Sequence, residues 1–309
     1  MIYTVTFNPS IDCFYRLPDF RTGNVNRAEE EYYYPGGKGL NVSMMLHECS
    51  ISTTALGFLA GSTGHAIQKM LDETGCPTDF IFIKNGFSRI NTKLHNGQET
   101  EINGIGPLPS SEDLNRLKEK LQQLKKGDTL VLSGSIPHKL SDDTYFTIMQ
   151  TLAPKEINTV VDTTGELLLH SLQARPFLIK PNLQELADLF HTSLHTQEEI
   201  IKTAEKLQQM GARNVLVSMA GDGAILLTDD KKIYKQNVPK GTVVNSVGAG
   251  DAMIAGFLAG FLQSNDYIHG LRLAAATGSA TAFSHHLANY HAVEKMLELL
   301  PETKTLSAF

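Results

Sequence analysis

Asn245-Ser-Val-Gly-Ala-Gly-Asp251 runs directly into an apolar stretch, 252–262, and so puts bare backbone and one carboxylate at the start of a helix. Glycines let a ligand approach the chain closely. The first N–H groups of a helix have no partner inside it, so such a corner is an anion site. An acid there repels a resting phosphate but serves as a base beside a phosphoryl group in transfer. On these seven residues alone, a glycine turn with Asp starting a helix reads equally well.

Other groupings bear on the same chemistry. Pro35-Gly-Gly-Lys-Gly-Leu-Asn41 precedes an apolar helical run, 42–46, and sets Lys38 and Asn41 beside bare backbone suited to a sugar or a phosphate. It has neither the G-x-x-x-x-G-K-[ST] spacing of a P-loop nor the G-x-G-x-x-G of a dinucleotide site. Ser133-Gly-Ser135 ends a strand. Lys180-Pro-Asn-Leu-Gln-Glu185 places Asn182 and Glu185 on one face of a first helical turn. There they suit either a hydrated Mg²⁺ or a mutual capping box, and the capping box fits the residues alone better. Ser218-Met-Ala-Gly-Asp-Gly223 reads as a hairpin turn or a nucleotide-edge loop. Arg27, Lys38, Arg89 and Lys93 fall in or beside two Gly-interrupted, aromatic patches and could collect over a substrate phosphate. The histidines show no metal spacing.

Composition narrows the field. Lys+Arg 27 against Asp+Glu 33 gives a net charge of -6, so no basic surface points to nucleic acid or to an anionic membrane. The longest apolar run is too short to span a bilayer, and the first residues lack the charged flank of a signal peptide, which leads to the expectation of a cytoplasmic protein. Cys13, Cys49 and Cys76 are odd in number and far apart, as expected of reduced structural thiols.

The elements that must position these groups alternate. Residues 2–7 read as an opening strand, stopped by Asn8-Pro9, that carries Ser10 and Asp12 at its end. Patches 13–34 and 86–106 read as a small β appendage. Leu114, Leu117, Leu121 and Leu124 mark a helix capped by Ser110 and Ser111, and a strand follows over 128–133. A helix near 142–152, strands at 158–162 and 177–180, a helix from Leu183, a helix boxed by Thr196 and Glu199, and a strand at 214–218 continue the pattern. Helical stretches at 251–263 and 267–284 close it. Strands separated by helices imply an α/β fold with a mostly parallel sheet covered on both faces, here as one domain, 1–309, with its β appendage.

Together, Val247-Gly-Ala-Gly-Asp251 and Gly36-Gly-Lys-Gly39 resemble the two signatures of the PfkB (ribokinase-like) family of sugar kinases, and the likeness covers essentially the whole chain. The resemblance implies a three-layer α/β/α fold with a small β-sheet lid. It also implies an enzyme that uses ATP and Mg²⁺. Thr6-Phe-Asn-Pro-Ser-Ile-Asp12, Arg89-Ile-Asn-Thr-Lys93, Glu99-Thr-Glu-Ile-Asn103 and Val244-Asn-Ser-Val-Gly248 resemble members that phosphorylate the 6-hydroxyl of D-fructose 1-phosphate, with tagatose 6-phosphate as the alternative acceptor. By the same resemblance Asp251 is the base, and Gly248, Ala249 and Gly250 form the anion hole. Asp12, Gly37, Lys38, Asn41 and Ser135 bind the sugar, with Arg27, Arg89 and Lys93 for its phosphate. Asn182 and Glu185 organise Mg²⁺ through water. Asn182, Ser218, Gly221, Gly223, Val247 and Gly278 serve ATP, the lid also joining two copies in a homodimer. Ala252 and Ser88 stand where relatives often carry Ser or Thr and Thr, and neither removes a group the chemistry requires. A catalytically silent nucleotide-binding regulator would lack the base, the glycines or the Asn182–Glu185 pair, and all are present.

Overall fold

The chain's central strands read as unbroken apolar runs because both of their faces are covered. Along β-structure successive side chains point to opposite sides. Leu130, Leu132, Val161, Val215 and Val217 join one buried cluster, while Val131, Val160 and Leu216 between them join another. The computed structural model describes residues 1–97 and 99–307, which leaves Gln98 of the second patch outside.

In chain order the elements begin with β1 (Ile2–Thr6), β2 (Ser10–Arg16), β3 (Glu30–Gly36), α1 (Lys38–Glu48), β4 (Thr53–Ala60), α2 (Gly61–Thr74) and β5 (Ile81–Ile83). There follow β6 (Arg89–His95), β7 (Glu99–Asn103), α3 (Ser111–Leu121), β8 (Thr129–Ser133), α4 (Thr144–Leu152), β9 (Asn158–Asp162), α5 (Gly165–Leu172) and β10 (Leu178–Ile179). The last part holds α6 (Leu183–Leu189), α7 (Gln197–Gln209), β11 (Asn214–Ser218), β12 (Ala224–Leu227), β13 (Ile233–Gln236), α8 (Ala249–Ser264), α9 (Tyr267–Ala282), α10 (Tyr290–Leu299) and β14 (Lys304–Leu306).

Among the described residues ten strands form the large sheet, in the order β14-β13-β12-β11-β10-β9-β8-β1-β4-β5. Pairing is parallel from β11 to β5 and antiparallel from β11 to β14. Helices α3, α4, α5 and α7 bury their apolar faces on one side, and α1, α8, α9 and α10 on the other. This is the three-layer α/β/α architecture expected from the sequence. The order reverses at β1, whose neighbours β4 and β8 lead the chain in opposite directions. Open α/β sheets bind ligands at the carboxyl ends of strands beside such a reversal.

The second sheet has the order β3-β2-β6-β7, with β2 antiparallel to β3, parallel to β6, and β6 antiparallel to β7. Here one expectation shifts. Ser10 and Asp12 are not on the end of β1, because Pro9 ends that strand and Ser10 starts a new one paired with Gly36 and Arg89. Ile11 and Cys13 on one face of β2 pack with Leu40, Met44, Ile67 and Leu71, which docks the small sheet on α1 and α2. Asp12, Asn91 and Lys93 share the other face.

Helix α8 lies against α9 almost backbone to backbone. A β-carbon at Gly256 would stand 2.3 Å from Thr277 Oγ1 and 2.5 Å from the Leu273 carbonyl, and Thr277 Oγ1 donates across to the Ala252 carbonyl at 2.7 Å. Among the described residues no helix is long and apolar enough to cross a membrane.

Candidate active site

Helix α8 opens at Gly248, whose φ of 80° is left-handed backbone that suits glycine, and no side chain caps it. The Ala249 amide donates to the Ser246 carbonyl at 3.3 Å, the amides of Gly250 and Asp251 have no such backbone partner among the described residues, and the N-terminal end of the helix dipole favours an anion there. Asp251 sits on this first turn, 6 % exposed, with Asn41 Nδ2 donating to its Oδ2 at 2.7 Å. Burial pushes its carboxyl up to about 7 and the charge of Asp162 adds to the rise, against opposing pulls from Lys38, Asn41 and Lys180.

Near Asp251 lies a charge cluster whose Asp162 and Lys180 are buried and whose Lys38 and Glu185 are partly exposed. Asp162, at the end of β9, holds Lys38 Nζ at 3.2 Å and Lys180 Nζ at 3.6 Å, and Lys38 also lies 3.9 Å from Glu185 Oε1. Burial alone would raise the Asp162 carboxyl, but Lys180 and Lys38 outweigh it and hold it below the usual range. Burial pulls Lys38 down, and the carboxylates of Asp162, Asp251 and Glu185 more than reverse that. Gly250 keeps room for the Lys180 ammonium, since a β-carbon there would stand 3.0 Å from Nζ. Asn182 and Glu185 form the capping box of α6: Asn182 Oδ1 accepts from the Glu185 amide at 2.8 Å, and Glu185 Oε2 accepts from the Asn182 amide at 2.8 Å. Glu185 Oε1 is left facing Lys38. Among the described residues no group of three or more His, Cys, Asp or Glu could hold a metal ion by itself.

On the small-sheet side Asp12 Oδ1 accepts from Ser10 Oγ at 2.7 Å and Asn91 Nδ2 at 2.9 Å. Gly36 makes this possible, because a β-carbon there would lie 2.4 Å from the Asp12 carboxyl carbon. Lys93 is buried between Glu101, at 3.1 Å, and Asp12, at 3.8 Å. Arg89 Nε donates to the Asn8 carbonyl at 3.0 Å. Gly37 caps α1, which starts with Lys38. Asp12, Tyr34, Asn41, Val247, Gly248 and His286 wall a pocket with only about 10 Å³ of free volume. On the other side of the α8 terminus opens a cleft of about 880 Å³, walled by Asn182, Ser218, Gly221, Gly223, Ala249, Gly250, Gly278 and Ala282 among others.

The structure thus brings most of the expected residues to the two sides of one helix terminus, and it separates three from their expected places. Val247, expected on the nucleotide side, lines the small pocket instead, because the turn at Gly248 divides the two spaces. Arg27 lies on the exposed β2–β3 loop and walls a separate concavity with Asp19, Arg21, Asn24 and Glu29. Ser135 is exposed on the loop after β8, while Ser133 Oγ is buried without a hydrogen-bond partner. Sequence reasoning missed Asp162, Lys180, Tyr34 and His286. Lys180 stood inside a quoted motif and Asp162 closed a quoted strand, yet no spacing marked them as a pair.

The model of the pfkB family of carbohydrate kinases matches residues 5–292. The chain belongs to this family, which makes it a kinase with ATP as co-substrate. It is 46% identical over 304 residues, 98% of this chain and 99% of the other, to the 1-phosphofructokinase of Bacillus subtilis. It is 39% identical, over 93% of this chain and 94% of the other, to the D-tagatose-1-phosphate kinase of Bacillus licheniformis. The phosphofructokinase-2 of Escherichia coli, solved in complex with substrates and products, superposes with a TM-score of 0.89 at 26% identity, covering 96% of this chain and 98% of that one.

Proposed function

We propose that this kinase transfers the γ-phosphoryl group of ATP to the 6-hydroxyl of D-fructose 1-phosphate, giving D-fructose 1,6-bisphosphate and ADP. The observation that carries the reading is Asp251: a buried carboxylate on the first turn of a helix, between a nucleotide-sized cleft and a polar pocket. Its oxygen takes the hydroxyl proton as the new O–P bond forms and the bond to ADP breaks. The amides of Gly248, Ala249 and Gly250 receive the charge of the moving group, that of Ala249 by giving up its bond to the Ser246 carbonyl, aided by Lys38 and Lys180. Asp12, Gly37, Lys38 and Asn41 hold the sugar, and Arg89 and Lys93 its phosphate. The 46% identity to a 1-phosphofructokinase supports the acceptor.

The donors present fit Mg²⁺ only through water, since the capping box occupies Asn182 Oδ1 and Glu185 Oε2 and leaves Glu185 Oε1 over. When bound with the nucleotide, the ion neutralises donor phosphate charge. Ser218, Gly221, Gly223 and Gly278 line the ATP cleft, with the end of α9 against the adenine. In this reading the chain is one kinase domain whose small sheet is the lid. The lid also joins two copies in a cytoplasmic homodimer, a role supported by exposed Tyr33, Ile90 and Ile102 on it.

A tagatose phosphate acceptor is the second reading, favoured by the 39% identity to a D-tagatose-1-phosphate kinase. Competing fructose 1-phosphate, tagatose 1-phosphate and tagatose 6-phosphate in a coupled ADP-release assay separates the two. We expect the highest kcat/KM with fructose 1-phosphate. A preference for either tagatose ester overturns the assignment.

A further inference from the structure

Tyr34 of β3 and His286 stack with ring centroids 4.0 Å apart and planes at 15°. Two residues back on the same face of β3, Tyr32 stacks on Tyr34 at 6.4 Å and meets His285 at 6.2 Å. Both histidines lie in 283–289, between α9 and α10. This aromatic seam fastens the small sheet to a segment that continues from the nucleotide wall. Gly278, Ser279 and Ala282 of α9 line the large cleft, the Ala282 carbonyl accepts from the Val244 amide at 2.9 Å, and the His285 carbonyl accepts from Asn245 Nδ2 at 2.9 Å.

His286 is also a wall of the small pocket, beside Asp12, Asn41 and Gly248. Among the described residues neither of its ring nitrogens has a hydrogen-bond partner, although the residue is partly buried. Burial drives its pKa down to about 4, against the pull of Asp12, so the ring is neutral near pH 7. A neutral imidazole offers one donor and one acceptor, which suits sugar hydroxyls and leaves the ester phosphate to the cations nearby. The free volume of about 10 Å³ holds roughly one water. A sugar phosphate is much larger, so the pocket must widen as it arrives, and the rings stack over it only once the small sheet has shifted to make room.

We propose that His286 is a substrate-contacting residue, its ring hydrogen-bonding a hydroxyl of the bound ketohexose phosphate while its stack on Tyr34 closes the small sheet over the sugar. This rests on reading the small pocket as the sugar site. The test is to measure the Kd of fructose 1-phosphate by calorimetry, and kcat and both KM values by ADP release, for the wild-type chain, His286→Phe, His286→Gln and His286→Ala. His286→Phe keeps the stack and loses the nitrogens, and we expect Kd and KM for the sugar to rise about tenfold, the effect of one hydrogen bond left unmade, with the KM for ATP within about twofold. His286→Ala is expected to be weaker still, with His286→Gln between it and wild type. Wild-type sugar affinity in His286→Phe overturns the proposal. So does an equal fall in both substrates' affinities with a lowered melting temperature, which marks a structural role. Wild-type binding of fructose 1-phosphate without turnover sinks the proposed reaction and leaves the contact standing, whereas absence of that binding sinks the contact.

Discussion

The large cleft beside α8 offers about 880 Å³ and is walled largely by glycines, alanines and apolar side chains, whereas the small pocket has about 10 Å³ and is walled by Asp12, Asn41, Tyr34 and His286 among others. The first is cut between the extensively buried helices α8 and α9 and the exposed β11–β12 turn, and needs no movement to be open. The second exists only between the core and the small sheet, and side-chain contacts across that boundary hold it shut. The difference teaches which side must move. A preformed nucleotide cleft and a sugar pocket that opens and recloses would keep water from the acceptor side, where it would otherwise compete with the hydroxyl.

The strongest test of this contrast is the residue at its boundary. Asp251→Asn is expected to lower kcat by about 10²–10⁴-fold, the usual scale for losing a general base, with both KM values nearly unchanged in steady-state kinetics. A defect confined to one KM would assign Asp251 to one pocket and break the comparison. Next comes Asp162→Asn, which strands the buried Lys180 ammonium and takes a partner from the partly exposed Lys38. We expect about 3–5 kcal/mol of lost stability in denaturant unfolding, as for one partner removed from a buried ion pair.

Two glycines test the pockets separately. Gly36→Ala forces a β-carbon into the Asp12 carboxylate, and Gly223→Ala places a side chain at φ 85° with its β-carbon 2.0 Å from the Gln236 carbonyl. Each is expected to raise one KM about tenfold, the sugar's for Gly36 and ATP's for Gly223, as strain of about 1–3 kcal/mol implies. Equal effects on both substrates would mean the pockets are not independent. An effect of the same size is expected in the pH profile. As the proposed base, the Asp251 carboxyl, raised to about 7, must be ionised to act. kcat/KM should therefore rise about tenfold from pH 6 to pH 8 and then level off. Because the folded pKa lies above the unfolded one, the folded chain binds the extra proton. This group's contribution to stability thus falls as pH rises from about 4 to about 7 and is constant beyond. Asp162→Asn should move the profile to lower pH.

Elements with strong periodicity or caps were legible before the structure. Ser110 and Thr196 do cap α3 and α7 through reciprocal boxes with Asp113 and Glu199, and the Ser218–Gly223 segment does turn between antiparallel β11 and β12. Strand β4 and helix α2 went unread, since Gly57 interrupts the first and the second begins Gly61-Ser-Thr-Gly64 with few apolar positions. Helices α5 and α10 and strand β14 were missed as well, each short and held by tertiary packing more than by its own pattern. At the site, the motif glycines marked where the backbone turns beside the cleft and the small pocket. The Lys38–Asp162–Lys180 cluster did not, because it joins the starts or ends of three separate elements that only the sheet order brings together.

The close passage of α8 over α9 gives distant positions leverage on the chemistry. Gly256 is five residues from Asp251, roughly 7.5 Å along the helix axis, and has no room for a methyl group against Thr277 and Leu273. Any side chain there would lift the rod that carries the carboxylate, and positioning errors near 1 Å are enough to slow an aligned reaction about a hundredfold. The floor of small residues under α8 is therefore a tolerance limit on the aim of the base, and substitutions drifting into it would cost turnover without touching either ligand.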